Sequence, residues 1–207
     1  GQFLSTDGSG TLSWGSASST VNTLSDALIE DNSLYMGNDP SSTTETAEYN
    51  VALGTTALDA ITTGDYNIAV GYGALTGNTT GEANLGLGYN ALTANTTGGG
   101  NFAIGYGALD ASDTENANLA IGSNALGGPI DGGEYNVAIG SSSLGANTSG
   151  DYNVAVGYGS MDENTTGRSN TSVGYLTLGA NTTGSYNNAI GYGALNSNTN
   201  SASAAHI

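Results

Sequence analysis

The sequence predicts an all-β chain that winds into a parallel β-roll, a β-solenoid of 17-residue coils. Three observations favour this fold. A 17-residue unit repeats nine times from Glu48, a period this short cannot hold a pair of helices, and apolar residues return to the same places in every copy. The copies begin at Glu48, Asp65, Glu82, Gly99, Asn116, Glu134, Asp151, Arg168 and Ser185, and the fifth carries one extra residue.

The apolar positions of the unit predict its strands. We number the unit from its acid, so that Asp65 is position 1 and Gly81 is position 17. Position 6 is always Ile, Val or Leu, and position 11 is Leu or Met. We expect a short strand before position 7 whose position 6 side chain, such as Ile104, points inward. A second short strand at positions 8 to 11, with Leu109 inward, is expected to face it across the coil.

Two invariant columns are predicted to be structural. Position 3 is Asn in every copy, and its amide can pair with the copies above and below it in a stack. Position 7 is Gly in every copy, which fits a corner with positive φ or a close approach of neighbouring backbone. Members of these ladders are Asn67, Asn84, Asn101, Gly71, Gly88 and Gly105. An Asn-Thr-Thr-Gly turn is expected to close the coil.

Position 5 is always small, being Ala in seven copies. Because it alternates with position 6, we expect it to face outward, where a solitary coil would tolerate larger residues. The simplest explanation is close packing between chains, as a homotrimer around a three-fold axis. The alternative is tight packing inside one coil. A trimer would also bury further surface in coils that each contribute only about two large apolar side chains.

The chain is predicted to divide into an N-terminal hairpin and connector cap, a β-roll and a C-terminal tail, over residues 1–30, 31–201 and 202–207. The opening residues are typical of a hairpin around Asp7 to Gly10, and Thr23 to Asp31 are expected to form a short connecting helix. Residues 31–47 are predicted to form a degenerate coil before the nine coils of 48–201. A cap would cover the unpaired strand edge at the end of the stack.

Composition excludes several classes of partner. The 207 residues include 18 acidic side chains and one basic side chain, Arg168, for a formal charge of −17. We therefore expect neither nucleic acid nor anionic lipid to bind. The sequence has no run of eighteen apolar residues, so direct membrane insertion is not expected. A surface of Asn, Thr, Ser, Gly and Tyr indicates an extracellular, cell-surface or virion location. Because the first residue is Gly, we expect the chain to be a piece of a longer protein.

Catalysis is not expected from this sequence. Cys and Lys are absent, and the single His is His206, near the C-terminal end. Thiol and lysine chemistry therefore lack their reactive groups, and histidine chemistry has one candidate at a terminus. Paired carboxylates, as in glycosidases, remain an alternative. Acids in the turns of a repeat are explained more simply by a solvated surface.

Tyrosine gives the strongest indication of ligand binding. Aromatic ladders beside Asn and Thr can stack on sugar rings while amides and hydroxyls bond the sugar substituents. The same columns could instead stabilise the coils or fill a cleft between subunits. The position 8 tyrosines are Tyr72, Tyr89, Tyr106, Tyr158, Tyr175 and Tyr192, and a second column at position 2 holds Tyr49, Tyr66, Tyr135, Tyr152 and Tyr186.

Acidic residues also form a column, at position 1. Glu48, Asp65 and Glu82 lie in consecutive coils, so like charges would stack about 4.8 Å apart. A bound Ca²⁺ would remove that repulsion, because calcium prefers carboxylate and carbonyl oxygens. Screening by salt is the simpler alternative. No other cofactor is expected.

The motif Asn-x-Ala-Ile/Val-Gly, at Asn136 to Gly140 and Asn187 to Gly191, resembles the head repeats of YadA-like trimeric autotransporter adhesins. The longer unit, with Gly-Tyr-Gly-Ala-Leu and Asn-Thr-Thr-Gly, is similar to repeats in phage and bacterial tail-fibre proteins, as is the opening segment Gly1 to Gly10. The resemblance covers residues 31–201. It implies left-handed rolls in a homotrimer that binds host surfaces. The 17-residue period is longer than the adhesin repeat, and neither a neck nor a membrane anchor is present in this sequence.

The sequence therefore predicts a structural or adhesive fibre protein. It would present an elongated binding surface on a phage tail fibre or a microbial cell surface and recognise host-surface glycans or proteins. Its other partners would be copies of itself, in a homotrimer or a filament. The alternative is a purely structural extracellular filament subunit without a specific ligand.

Overall fold

The computed structural model describes residues 2–6, 12–16, 27–30, 32–37, 43 and 46–197. These residues form strands and turns, and among them no helix is long and apolar enough to cross a bilayer. The strands are β1 Gln2–Thr6, β2 Leu12–Ser16, β3 Ala27–Glu30, β4 Ser33–Met36, β5 Val51–Leu53, β6 Ile68–Val70, β7 Leu85–Leu87, β8 Phe102–Ile104, β9 Leu119–Ile121, β10 Val137–Ile139, β11 Val154–Val156, β12 Thr171–Val173 and β13 Asn188–Ile190.

The first two strands form a sheet of their own. β1 runs antiparallel to β2, with Thr6 opposite Leu12. These are the two arms of the hairpin that the sequence predicts. Its turn, Asp7 to Gly10, lies outside the described residues, and so does the predicted tail at 202–207.

The connecting helix predicted for Thr23 to Asp31 is wrong over its described part. Residues Ala27–Glu30 form strand β3, which pairs antiparallel with β4 so that Ala27 lies opposite Met36. The free edge of β4 offers a row of backbone hydrogen-bonding groups. Pairing along that edge outweighs the weak helix preference of a short segment.

The predicted β-solenoid is confirmed. In the described part of the chain, β4 to β13 form one parallel sheet with β3 at its edge. Each strand pairs with the equivalent strand of the next coil, so that Val51 lies opposite Ile68, seventeen residues later. The sheet begins in the degenerate coil, where Leu34 lies opposite Val51.

The extra residue of the fifth copy is absorbed in a turn. Leu119 pairs with Val137, eighteen residues later, and Ile121 pairs with Ile139. The additional residue therefore lies between these strands, in a segment where Ile130 is buried. Because the strand pairing stays in phase, the columns of the repeat continue through this coil.

The strand faces are the reverse of the sequence prediction. Position 5, expected outside, is fully buried, as Ala103 illustrates. Position 6, expected inside, is partly or fully exposed, and Ile104 lies on the outer face. A Cβ added to Gly86 at position 5 would lie 3.3 Å from Cγ of Leu75. The small residue is therefore explained by packing within the stack of a single chain, and it is no evidence for a neighbouring chain.

Position 11 fills the coil from the side opposite the strand. Its side chains are fully buried at Leu58, Leu75, Leu92, Leu109, Leu126, Leu144, Met161 and Leu178. The second strand predicted for positions 8 to 11 is wrong, because these residues form a turn in which position 11 has φ of 49° to 55°. Hydrogen bonds between coils continue there, as the Leu109 amide donates to the Ala125 carbonyl at 3.1 Å.

Two columns of buried asparagines form hydrogen bonds between neighbouring coils. At position 3, Nδ2 of Asn84 donates to the Gly98 carbonyl at 2.8 Å, and Oδ1 of Asn84 accepts from the Asn101 amide at 2.9 Å. The second column is position 14 of the closing turn, where Nδ2 of Asn95 donates to Oδ1 of Asn78 at 2.8 Å. The first column binds backbone to side chain, and the second is an amide ladder.

Two glycine columns allow the coils to approach closely. At position 7 the φ angles lie between 121° and 140°, and a Cβ on Gly54 would lie 2.6 Å from the Gly71 carbonyl oxygen. At position 17 the reason is space alone. A Cβ on Gly81 would collide with the Gly98 carbonyl oxygen and with the Asn78 side chain. Both columns therefore set the distance between coils.

Candidate functional site

The position 8 tyrosines stack into two ladders. The first ladder is Tyr72, Tyr89 and Tyr106, and the second ladder is Tyr158, Tyr175 and Tyr192. Within both, successive ring centroids lie 5.2 to 5.3 Å apart and the ring planes are within 14° of parallel. The rings are 44% to 84% exposed. Their spacing follows from the backbone, because the amide of Asn90 donates to the carbonyl of Tyr72 in the preceding coil at 2.9 Å.

Stacking leaves few ring faces free for a ligand. Each interior ring has a neighbouring tyrosine on both sides, so a sugar can stack only where a ladder ends. Between the ladders, position 8 is Ser123 and then Ser141. We call Tyr106, Ser123, Ser141 and Tyr158 the serine gap. Its two tyrosines are three coils apart, about 14 Å at the usual strand spacing.

The floor of the serine gap is polar. Ser123 is exposed, and Oγ of Ser141 donates to the carbonyl of Ser123 at 3.2 Å. The Ser123 hydroxyl can therefore donate to a ligand and accept from it. The gap therefore combines two aromatic walls with hydroxyl groups between them.

The position 2 tyrosines occupy a strained backbone. Tyr49 and Tyr66 have φ of 61° and 60°, in the left-handed region that side chains other than Gly rarely adopt. Their rings stack with centroids 5.0 Å apart, and the rings of Tyr135 and Tyr152 stack at 5.2 Å. Hydrogen bonds between coils hold this conformation, since the Tyr66 amide donates to the Glu48 carbonyl at 3.1 Å.

The outer side of the parallel sheet is an apolar strip, which we call the outer face. It consists of positions 4 and 6, and none of its residues is charged. Position 4 contributes Leu34, Val51, Ile68, Leu85, Phe102, Leu119, Val137, Val154, Thr171 and Asn188, and position 6 contributes Met36, Leu53, Val70, Leu87, Ile104, Ile121, Ile139, Val156, Val173 and Ile190. All are partly or fully exposed. Sequence reasoning missed this face because it assigned position 6 to the interior.

The position 1 acids act as hydrogen-bond acceptors between coils. Oδ1 of Asp65 accepts from the backbone amide of Glu48 at 2.7 Å, and Oδ1 of Asp151 accepts from Glu134 at 3.0 Å. Oδ1 of Asn116 takes the same position in its coil. The described residues contain no group of three or more acidic or histidine side chains that could hold a metal. Calcium binding at Glu48, Asp65 and Glu82 thus stays a prediction, because these residues do not form a preformed cluster of metal ligands.

Two aspartates at position 12 have altered acidity. Burial raises the pKa of the Asp110 carboxyl above its ordinary value of 3.8, and a backbone hydrogen bond partly opposes this. Burial also raises the pKa of Asp162, with a smaller contribution from the neighbouring Glu163 charge. Both are half-exposed.

Glu115 is a buried carboxylate that the sequence did not single out. It stands at position 17, where most copies have Gly, and it is only 3% exposed. Oε2 accepts from the Ser112 hydroxyl and from the amides of Asp113 and Thr114 at 2.9 to 3.1 Å, and Oε1 accepts from the Gly132 amide at 3.0 Å. Because four donors of the same chain bind the Glu115 carboxylate, its role is structural. The departure from Asn-Thr-Thr-Gly at Ser112 to Glu115 was the signal that could have identified it.

No pocket indents the surface of the residues that the structure describes. Comparison with known proteins finds no match among protein families, curated proteins or solved structures. The resemblance to adhesin heads and tail fibres therefore rests on the repeat motif alone and stays a prediction.

Proposed function

We propose that the chain forms the shaft or head of a homotrimeric fibre, displayed on a phage tail fibre or a microbial surface, that presents an elongated surface to host glycans or proteins. The observation that supports assembly is the outer face. The observation that supports recognition is the serine gap between the tyrosine ladders.

The outer face has the size and the apolar character of a surface that a partner covers. Ten strands at about 4.8 Å make a strip about 45 Å long and about 10 Å wide, on the order of 450 Å². The largest contiguous apolar patch on an isolated soluble protein is typically about 300–600 Å² and is often functional. Several members are more than one-third exposed, including Phe102 at 46% and Leu53 at 49%.

Copies of the same chain fit this strip better than a globular partner does. The strip is straight and uniform because every strand pairs with its neighbour in the same register. Parallel copies can place equal strips against each other along their whole length. The net charge of −17 opposes association, but the strip itself carries no charge, so the acids can stay in water. The adhesin resemblance adds the three-fold symmetry and the left-handed winding.

Sedimentation equilibrium tests the assembly. We expect the wild-type mass to be three times the chain mass of 20.4 kDa. Phe102→Thr combined with Ile104→Thr should give monomers, because it makes the centre of the strip polar while keeping residues that favour strands. Glu163→Gln, in an exposed turn outside the strip, is the matched control and should stay trimeric. A wild-type mass of a single chain would contradict the proposal.

Glycan recognition is assigned to the serine gap. Tyr106 and Tyr158 each have one ring face that the adjacent coil leaves uncovered by tyrosine, and a pyranose ring can stack on such a face. The separation of about 14 Å gives room for a short oligosaccharide between the two walls. Ser123 and Ser141 supply hydroxyl groups on the floor.

A glycan array read with intact trimer tests this assignment. Tyr106→Ala combined with Tyr158→Ala should abolish binding, because both stacking faces are removed. Tyr186→Ala, which changes an exposed tyrosine outside the gap, should bind like the wild type. Binding that survives the double substitution would place the ligand elsewhere.

The alternative is a structural filament subunit without a specific ligand. It is favoured by the stacked rings themselves, since most tyrosine faces are covered by other tyrosines of the same chain. A trimer that binds neither glycans nor intact host cells across several surfaces would support this alternative.

A further inference from the structure

The two tyrosine columns complement each other along the stack. Within the described residues, six boundaries between neighbouring coils each carry one stacked pair, and no boundary carries two. The pairs are Tyr49–Tyr66, Tyr72–Tyr89, Tyr89–Tyr106, Tyr135–Tyr152, Tyr158–Tyr175 and Tyr175–Tyr192. Coils 1 to 4 and coils 6 to 9 are thus each joined without interruption. Coil 5, residues 116–133, contains no tyrosine and is also the coil with the extra residue.

We propose that these pairs are sites of oxidative cross-linking, in which dityrosine bonds join neighbouring coils into two covalent blocks on either side of coil 5. The geometry is suited to the reaction. The paired rings are parallel within 14°, with centroids 5.0 to 5.3 Å apart. Equivalent ortho carbons therefore face each other at about the same distance, and the rings are exposed enough to turn and to meet an oxidant.

The oxidant is hydrogen peroxide acting through an external peroxidase. Each phenol loses one electron and one proton to give a phenoxyl radical, whose unpaired electron is shared with the ortho carbons. Two such carbons form a carbon–carbon bond, and the hydrogen on each then moves to oxygen and restores the phenol. One link thus releases two electrons and two protons, which reduce one peroxide to two waters.

Cross-linking would fix the register of the stack. Each link closes a loop of about one repeat between adjacent coils, and such links restrict the unfolded chain as disulfides do. This chain has no cysteine, so disulfides are not open to it. The proposal does not depend on the fibre function, because it needs only the stacked pairs of a single chain.

Peptide mapping of the full-length chain tests the proposal. Dilute folded protein is treated with peroxidase and peroxide, denatured and cleaved after glutamate. Because cleavage sites follow Glu48, Glu82, Glu115, Glu134 and Glu163, we expect peptide 49–82 joined to 83–115 and peptide 135–163 joined to 164–207. Each link should lower the mass by two hydrogen atoms. Peptide 116–134, from coil 5, should stay unlinked.

Conservative variants show whether the stacked pairs are responsible. Tyr89→Phe keeps the ring stack but removes the shared phenol of the first ladder, so both the junction to 49–82 and the mass loss within 83–115 should disappear. Tyr72→Phe should remove the junction only. The Tyr158–Tyr175 link serves as the internal control in both. Wild-type protein that gains no links, or Tyr89→Phe protein that still joins 49–82 to 83–115, would overturn the proposal.

Discussion

At the residue scale, the buried asparagine at position 3 joins neighbouring coils through both ends of its side-chain amide. The position 3 side chain binds two backbone groups, the carbonyl at position 17, which it shares with the position 14 asparagine, and the amide of the next asparagine, for which it is the acceptor. A satisfied hydrogen bond contributes only about 1 kcal/mol, but a buried group left without a partner costs about 1–3 kcal/mol. The cost of leaving buried polar groups without a partner therefore explains the invariant asparagine column better than the net contribution of each hydrogen bond does.

Replacing one member of this column should destabilise the fold. In Asn84→Leu the Asn101 amide loses its partner and the Gly98 carbonyl keeps only Nδ2 of Asn95, so we expect the free energy of unfolding to fall by about 1–3 kcal/mol. Urea titration followed by circular dichroism measures this. Asn124→Leu is the matched control, because Asn124 is exposed and the equivalent position of coil 8 is naturally Leu176. The control should change stability by less than about 0.5 kcal/mol.

Residue size misled the assignment of inside and outside. The Asn, Gly and Leu columns were visible because each is nearly invariant and each has one physical explanation. Positions 5 and 6 were assigned by the rule that large apolar residues lie inside. A 17-residue coil is so narrow that Leu75 already fills it, and only a small side chain such as Ala69 fits opposite. The larger Val70 is left on the outer face. Which residues of a three-residue strand face the interior depends on the width of the coil, and that width cannot be read from the sequence.

At the element scale, the closing turn of coil 4 replaces the usual buried hydrogen-bond network with a different one. Where coils 2, 3, 6, 7 and 8 have Asn and Gly at positions 14 and 17, this coil has Ser112 and Glu115. The carboxylate occupies the interior in place of the asparagine amide, and Oδ1 of Asn95 in the preceding coil has no hydrogen-bond partner. The two changes belong together, because either alone leaves donors or acceptors unpaired.

The exchange predicts a rescue. Glu115→Gly alone removes the acceptor of four donors, and we expect a loss of about 1–3 kcal/mol in the free energy of unfolding. Adding Ser112→Asn recreates the common turn and gives Oδ1 of Asn95 a donor, so the double variant should be more stable than the single variant. Thermal melts of both proteins check this. A double variant no more stable than Glu115→Gly would show that the two positions are independent.

The position 12 aspartates predict a pH effect with a definite sign. The folded state raises the pKa of Asp110 and Asp162 above 3.8, so it favours the protonated carboxyl. Their favourable contribution is complete below about pH 3.8 and is lost as the pH rises through the raised folded pKa. We expect Asp110→Asn with Asp162→Asn to raise the melting temperature modestly at neutral pH and to leave it unchanged below pH 3.8. A lower melting temperature at neutral pH would contradict this.

The wrong prediction of a strand at positions 8 to 11 shows that the spacing of apolar residues is not enough to identify a secondary-structure element. An apolar residue at position 11 fits a strand, and nothing in its identity reveals its left-handed backbone, such as the φ of 50° at Leu109. Leu is seldom found there because the conformation costs about 1–2 kcal/mol. Hydrogen bonds between stacked coils hold it, and these exist only once the stack has formed.

At the scale of the whole molecule, the charge of −17 should make stability depend on salt. We expect the melting temperature to rise with sodium chloride through screening. Calcium chloride at equal ionic strength should give a larger rise only if Glu48, Asp65 and Glu82 bind the ion. Melting in EDTA and in millimolar calcium, at fixed ionic strength, separates the two. Equal melting temperatures would reject the calcium hypothesis and leave screening as the explanation.

Nearly all contacts of the stack join a coil to its immediate neighbours, so the molecule should tolerate the loss of one complete coil. Deleting residues 82–98 removes 17 residues and brings coil 2 against coil 4. The Asn67 and Asn101 side chains then become neighbours in their column, Ala69 lies beside Ala103, and Tyr72 can stack on Tyr106. Because every column is preserved, we expect this variant to keep its β-sheet spectrum and to melt within a few degrees of the full chain.

A deletion that breaks the period is the control. Removing residues 82–89 takes out fewer residues but leaves a fragment of nine that cannot complete a coil, and coil 2 loses its partners for the strand and for the position 3 asparagine. This shorter deletion should melt at a clearly lower temperature than the 17-residue deletion. If stability depended on chain length or total buried area, the order would be reversed. The comparison therefore decides whether register between neighbouring coils, more than the size of the core, maintains the solenoid.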